Sequence, residues 1–195
     1  MPLTLYDADR CPFCARVRIV LAEKGIAYEP VAIDLEDRPA WIYEKNRSGK
    51  VPVLEEDDGF VLPESVVIME YLEERNPNPP LLPRDRGRRA LSRVWVDRFD
   101  ARLGDVYYAV RRGEVEREAL GGRLAALDRV LAQQPFLTGE EYGLADIAYL
   151  PWVLRSRSIL GVPLDGLDAL FRWIERLAER PPVAAELGLV EALAR

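Results

Sequence analysis

Four prolines fall within the eight residues Asn76-Pro77-Asn78-Pro79-Pro80-Leu81-Leu82-Pro83. That is too many for a helix or a central strand to pass through. Before this break short apolar segments alternate with helical patterns, and after it the apolar period stays helical. At 195 residues the chain suits one large or two small domains and can bury a core. It divides into an α/β domain over 1–75, a proline-rich linker over 76–88 and an all-helical domain over 89–195.

In the first part, Leu3 to Tyr6 has the apolar character of a short strand. Phe13, Val17, Val20 and Leu21 then recur at helical spacing through Lys24. Gly25 stops that helix, as glycine does just past a helical C-terminus. Tyr28 to Ile33 is a second strand, so the strand–helix–strand order predicts a parallel pair with a right-handed crossover. A short helix is expected over Pro39 to Asn46. Val51 to Leu54 and Phe60 to Leu62, joined by Glu55-Glu56-Asp57-Asp58-Gly59, predict an antiparallel hairpin, and helix signals return from Glu64 to Arg75.

Beyond the linker, Leu91, Trp95, Phe99, Leu103, Val106 and Val110 form one helical stripe. Leu120, Leu124, Leu127 and Leu131 form a second, and Leu167, Leu170, Phe171, Ile174, Leu177 and Ala178 a third. Such stripes are core and mark no site. Pro151, inside a further helical pattern, predicts a kink after about residue 147.

The chain's two cysteines sit together in Cys11-Pro12-Phe13-Cys14, between the first strand and the first helix. A cysteine at a helix N-terminus meets unpaired backbone N–H groups and the positive end of the macrodipole. Both favour the thiolate, which is the nucleophile. Pro12 suits the first turn, where its missing N–H has no partner to lose. A disulfide between cysteines so close in sequence closes almost no loop and removes little unfolded-state entropy. A structural zinc site wants four nitrogen or sulfur ligands, and the chain has two cysteines and no histidine. An inert buried pair stays open, because free cysteine packs as a small hydrophobe. The strand–CxxC–helix context favours a nucleophilic or redox role for Cys11.

The absence of histidine removes the commonest general base and the serine–histidine hydrolase scheme. A net charge of −6 argues against direct nucleic-acid binding, which usually presents a basic face. No apolar run is long enough to span a bilayer. The segment from Met1 and Pro2 to Tyr6 lacks the basic start and long apolar stretch of a secretory signal. A cytoplasmic location is therefore expected, where a CxxC pair is more often catalytic than structural.

Three segments, Cys11-Pro12-Phe13-Cys14, Gly49-Lys50-Val51-Pro52-Val53-Leu54 and Pro63-Glu64-Ser65, together with Arg16 to Gly25 and Ile68-Met69-Glu70-Tyr71-Leu72, resemble the cytosolic glutathione S-transferases. The resemblance covers the whole chain and is strongest over residues 11–83. It implies a thioredoxin-like N-terminal domain followed by an all-helical C-terminal one. The cysteine resembles omega-class and glutaredoxin-like members, and the flanking sequence resembles stringent starvation protein A, a transferase-fold partner of RNA polymerase.

The resemblance also implies a glutathione site, with glutathione as co-substrate and no metal. Val51-Pro52 matches the family's cis-proline, which leaves the Val51 backbone groups free to pair with an extended tripeptide. An ordinary trans-proline at a strand start is the alternative. Glu64 and Ser65 match the pair that holds the γ-glutamyl end, Ser65 on its carboxylate and Glu64 on its ammonium. A simple helix N-cap would also account for Ser65. Lys50 and Arg38 match basic positions that offset the glycyl carboxylate, or are solvated surface charges. Phe13 matches a residue beside the bound thiol, or fills core. Tyr107 and Tyr108 are the expected lining of an electrophile pocket, or half-buried packing residues.

Where the family usually has a Ser or Thr cap three residues before an Asp, this chain has Gly143-Leu144-Ala145-Asp146, with Gly143 as a tolerable N-cap in a segment assigned to stability. Most conjugating members activate glutathione with Ser or Tyr. Cys11 shifts the expectation to a glutathione-dependent thiol transferase or reductase, with Cys14 able to resolve a mixed disulfide. The alternative is a non-catalytic regulator that binds RNA polymerase, like stringent starvation protein A. The family also implies a homodimer.

Overall fold

The computed structural model describes residues 3–195, and Met1 and Pro2, on which the reading of the N-terminal segment partly rests, lie outside them. Residues up to Pro79 form one compact unit and those from Pro80 another, so the chain divides within the proline-rich stretch.

The first unit is built on a four-stranded sheet in the order β2-β1-β3-β4. Strand β1 (Leu3–Asp7) pairs in parallel with β2 (Tyr28–Ala32) and antiparallel with β3 (Val53–Glu56), which pairs antiparallel with β4 (Val61–Pro63). The helix α1 (Pro12–Glu23) supplies the crossover between the parallel strands and buries Val17, Ile19, Val20 and Leu21. Gly25 ends it with φ of +62°, a conformation that glycine adopts at little cost. The short helix α2 is only Ile42–Lys45, because the residues before it make tight turns, Ile42 N–H to Pro39 C=O and Tyr43 N–H to Ala40 C=O. The helix α3 (Ser65–Arg75) packs beside α1. At the far end of α1 the buried Lys24 ammonium pairs with Glu73 at 2.6 Å and donates to the carbonyls of Asn76 (2.6 Å) and Pro79 (3.0 Å). One buried cation thus ties the ends of both helices to the start of the linker.

The second unit is helical: α4 (Arg86–Asp97), α5 (Asp105–Arg111), α6 (Arg117–Leu131), α7 (Leu144–Ser158), α8 (Asp168–Ala178) and α9 (Pro181–Leu193). The stripe expected from Leu91 to Val110 is corrected here. A π-helical turn over Asp100–Gly104 separates α4 from α5 and shifts the buried face. Ser92, Val96, Phe99, Leu103, Gly104 and Tyr107 are the buried positions, and Leu91 is 58% exposed. Gly104 is required in that turn, since a Cβ there would lie 2.6 Å from an Asp100 carboxylate oxygen and 2.7 Å from the Phe99 ring. The third stripe also loses a member, Phe171, which is exposed. Pro151 sits inside α7 without ending it. No helix among the described residues is long and apolar enough to cross a membrane.

Gly143 has a sharper role than a tolerable cap. A Cβ there would fall on the Leu81 carbonyl oxygen, which accepts from Leu144 N–H at 2.9 Å. The buried Asp146 carboxylate does the capping, accepting from Gly143 N–H (3.1 Å), Leu137 N–H (3.0 Å) and Trp173 Nε1 (2.8 Å).

Candidate active site

Strand β1 delivers the chain to Asp7, and a turn closed by Cys11 N–H to Ala8 C=O (2.9 Å) places Cys11 at the cap of α1. Cys11 is 7% exposed and Cys14 fully buried, and both are free thiols. They share one apolar cluster with Tyr6, Ala8, Ile33, Ile42, Val51 and Val53, against which half-buried Phe13 also packs.

The two sulfurs differ electrostatically. The Cys11 thiol is lowered to about 7 by a hydrogen bond from the Cys14 thiol, with help from the first-turn N–H groups of Cys14 and Phe13, and burial opposes them. Burial, and its role as donor to Cys11, push the Cys14 thiol well above the usual range. One cysteine is therefore poised as a thiolate near neutral pH, and its neighbour is kept protonated as the donor. Asp7, buried at the end of β1, raises both thiols through its charge. Arg18 offsets that charge, with Nη1 2.6 Å from Asp7 Oδ1.

The Val51–Pro52 peptide bond is cis, and the Val51 carbonyl oxygen lies 3.6 Å from Cys11 Sγ, within reach of its S–H as donor. The segment before it is fastened by side chains. Asn46 Nδ2 donates to the Lys50 carbonyl at 2.9 Å, and Asn46 Oδ1 accepts from Ser48 N–H (3.1 Å) and Ser48 Oγ (2.9 Å). Gly49, at φ +65°, lies against the Tyr43 ring, where a Cβ would come within 2.5 Å of a ring carbon.

Glu64 is the sole non-glycine residue at positive φ (+73°) among the described residues, a strained conformation of the kind that clusters at ligand-binding sites. It occupies the cap of α3 without making a side-chain cap bond, so Ser65 is the first helical residue and not the cap. Ser65 is buried, and its Oγ accepts from Arg16 Nη1 at 3.3 Å. Arg16 is 2% exposed, and its guanidinium carbon lies 5.2 Å from the centre of the Phe13 ring.

The structure thus brings Cys11, Cys14, Phe13 and Val51 into one cluster and joins Phe13 to Ser65 through Arg16. Pro52 is buried, and Glu64 is exposed. Arg38 and Lys50 are exposed on their loops. Tyr107 and Tyr108 lie on α5 of the other unit, their rings edge to face at 5.2 Å. Tyr107 is buried, and burial pushes its hydroxyl up. Sequence reasoning missed Asn46, Asp7 and Arg16 as parts of the site. Arg16 left a signal: three residues after Phe13 and four before Val20, it is a charge on the apolar stripe of α1.

Residues 5–80 match the N-terminal domain of glutathione S-transferases and residues 113–181 match their C-terminal domain. Pyrimidodiazepine synthase of Drosophila melanogaster is 36% identical over 195 residues, covering 94% of this chain and 79% of that protein. A stringent starvation protein A homolog of Pasteurella multocida is 34% identical over 194 residues, covering 96% of this chain and 91% of that one. Among solved structures, glutathione transferase Omega 1C from Trametes versicolor superposes with a TM-score of 0.86 at 26% identity, covering 99% of this chain and 94% of that one. With the thioredoxin-like sheet, the helical second unit and the cysteine at the start of α1, these similarities show that the chain belongs to the glutathione S-transferase family.

Proposed function

We propose that the protein is a glutathione-dependent thiol transferase with Cys11 as its nucleophile. The observation that carries this is the free Cys11 thiol at the cap of α1, its Sγ 3.6 Å from the Val51 carbonyl oxygen, where the Cys14 donor and the first-turn N–H groups lower it toward ambient pH, the range in which an attacking thiol exchanges fastest. The Cys11 thiolate attacks the glutathione sulfur of a mixed disulfide, forming a Cys11–glutathione disulfide and releasing the other thiol as thiolate. A second glutathione thiolate then attacks the glutathione sulfur of that disulfide, giving oxidised glutathione and restoring the Cys11 thiolate. Alternatively Cys14 gives up its proton and attacks Cys11, releasing glutathione and leaving a Cys11–Cys14 disulfide for later reduction by two glutathiones.

Val51 would pair with the tripeptide backbone, Ser65 and Glu64 would hold the γ-glutamyl group, and Arg38 and Lys50 would face the glycyl carboxylate. Phe13 would flank the thiol, Tyr107 and Tyr108 would line the second-substrate pocket, and the protein would work as a homodimer. The competing reading, a regulator without catalysis, draws on the stringent starvation protein A relative.

Retention on glutathione-agarose and mixed-disulfide reductase activity separate the two. Wild type is expected to be retained and active, and Cys11→Ser to lose activity by about 1,000-fold or more. A wild type that is neither retained nor dependent on Cys11 would sink the enzyme reading. Full activity in Cys14→Ser would assign the resolving step to free glutathione.

A further inference from the structure

The turn that presents Cys11 is gathered on Ala8. Its N–H donates to Asp7 Oδ1 at 2.7 Å, and its carbonyl accepts from Cys11 N–H at 2.9 Å. Arg18 reaches both groups from α1, with Nη1 2.6 Å from Asp7 Oδ1 and 3.5 Å from the Ala8 carbonyl oxygen. Cys14 and Arg18 are four residues apart, so Arg18 stands one turn along the same helix face as the donor thiol. The side chains of the ion pair are only 14% and 9% exposed, so salt screens it little. A buried carboxylate works against a neighbouring nucleophile that must itself carry negative charge. Asp7 does so, raising the Cys11 and Cys14 thiols alike. The other polar groups around Cys11 are Cys14 and the first-turn N–H groups of α1, the Val51 carbonyl, and Tyr6 of β1, whose hydroxyl donates to Glu55 beside Lys45.

We propose that Arg18 is a positioning residue for the Cys11 nucleophile: by pairing with Asp7 and bracing the Ala8 carbonyl it fixes the turn at the start of α1 and keeps the Asp7 charge from opposing the thiolate. The proposal rests on Cys11 as the nucleophile. It adds the side chain, one turn beyond the CxxC pair, that lets a thiolate form beside a buried carboxylate.

The test follows the Cys11 thiolate of the full chain against pH, by ultraviolet absorbance and by the rate of alkylation with iodoacetamide, neither of which needs glutathione. Arg18→Met should move the midpoint upward by about one pH unit, because the Asp7 carboxylate is left uncompensated, and should slow alkylation at about pH 6. Asp7→Asn should move it downward by about half a pH unit. In the Asp7→Asn background, Arg18→Met should move the midpoint by less than about half as much as it does in wild type, because the arginine acts through the aspartate. Arg18→Lys, which keeps the charge and loses the fork, should fall between wild type and Arg18→Met. Where Arg18→Met does not fold, Arg18→Lys and Asp7→Asn still must shift the midpoint in opposite directions. A turn that is merely loosened would move both the same way. Shifts of the same sign, or midpoints all within about 0.2 pH units of wild type, would overturn the proposal and leave Cys11 standing as the nucleophile. A wild type with no thiolate step below about pH 8.5 would overturn both.

Discussion

Cys11 and Asp146 are both buried acids at the start of a helix, one in each folding unit, and their protons are held in opposite senses. At Cys11 the hydrogen bond from Cys14 and the first-turn N–H groups outweigh burial, and the thiol falls to about 7. At Asp146 burial outweighs the N–H groups of Leu137, Trp173 and Gly143, and the carboxyl rises to about 6. The helix terminus alone therefore does not decide the charge. At Cys11 a second titratable group is supplied as a proton donor, and at Asp146 three fixed N–H groups are satisfied in a dry interior. The first arrangement favours reactivity and the second favours rigidity.

The largest expected effect breaks the two apart. Cys11→Ser removes the nucleophile and with it the exchange activity, yet should change unfolding free energy by less than about 1 kcal/mol. Asp146→Ala should do the reverse in the helical unit. It strands three buried donors, each costing about 1–3 kcal/mol, so destabilisation of about 3–5 kcal/mol is expected in urea unfolding. A loss below about 1 kcal/mol would show that the donors find water or other partners.

A smaller effect is the pH dependence of the same corner. Asp146 titrates at about 6 when folded against about 3.9 unfolded, so the folded state holds this proton more tightly. The stability it contributes is complete below about pH 3.9 and is lost as pH rises through about 6. Between pH 4 and pH 7, wild type should lose roughly 2–3 kcal/mol relative to Asp146→Asn, which carries no titrating group there. Parallel curves for the two proteins would contradict this assignment.

The smallest effect lies beside the cysteine. Gly49→Ala would force a left-handed backbone on alanine and push a methyl group into the Tyr43 ring, shifting the segment that leads to Val51. Glutathione affinity should fall by about tenfold, read by calorimetry, with the Cys11 alkylation rate preserved.

The comparison also shows what the sequence discloses. The proline-rich break and the CxxC position at the strand–helix junction were legible because each is a local pattern, whereas the cis Val51–Pro52 bond was legible only through the family resemblance, since a trans-proline at a strand start fits the same residues. The stripe from Leu91 to Val110 misled, because a π-helical turn at Asp100–Gly104 rotates the buried face and leaves no mark on a 3.6-residue period. Gly143 was understood only as an acceptable cap, since the Leu81 carbonyl against it comes from a segment 62 residues away in sequence. Arg16 was legible in part: its place on an apolar stripe is local, but Ser65, 49 residues on, is not.

The claim that Cys11 is a thiolate nucleophile maintained by Cys14 is tested most directly by thiolate titration, following ultraviolet absorbance against pH in wild type, Cys11→Ser and Cys14→Ala. Wild type should show one thiolate appearing with a midpoint at about pH 7, absent from Cys11→Ser and moved upward in Cys14→Ala as the donor is lost. A wild type with no step below about pH 8.5, the ordinary cysteine value, or a step that survives in Cys11→Ser, would contradict it.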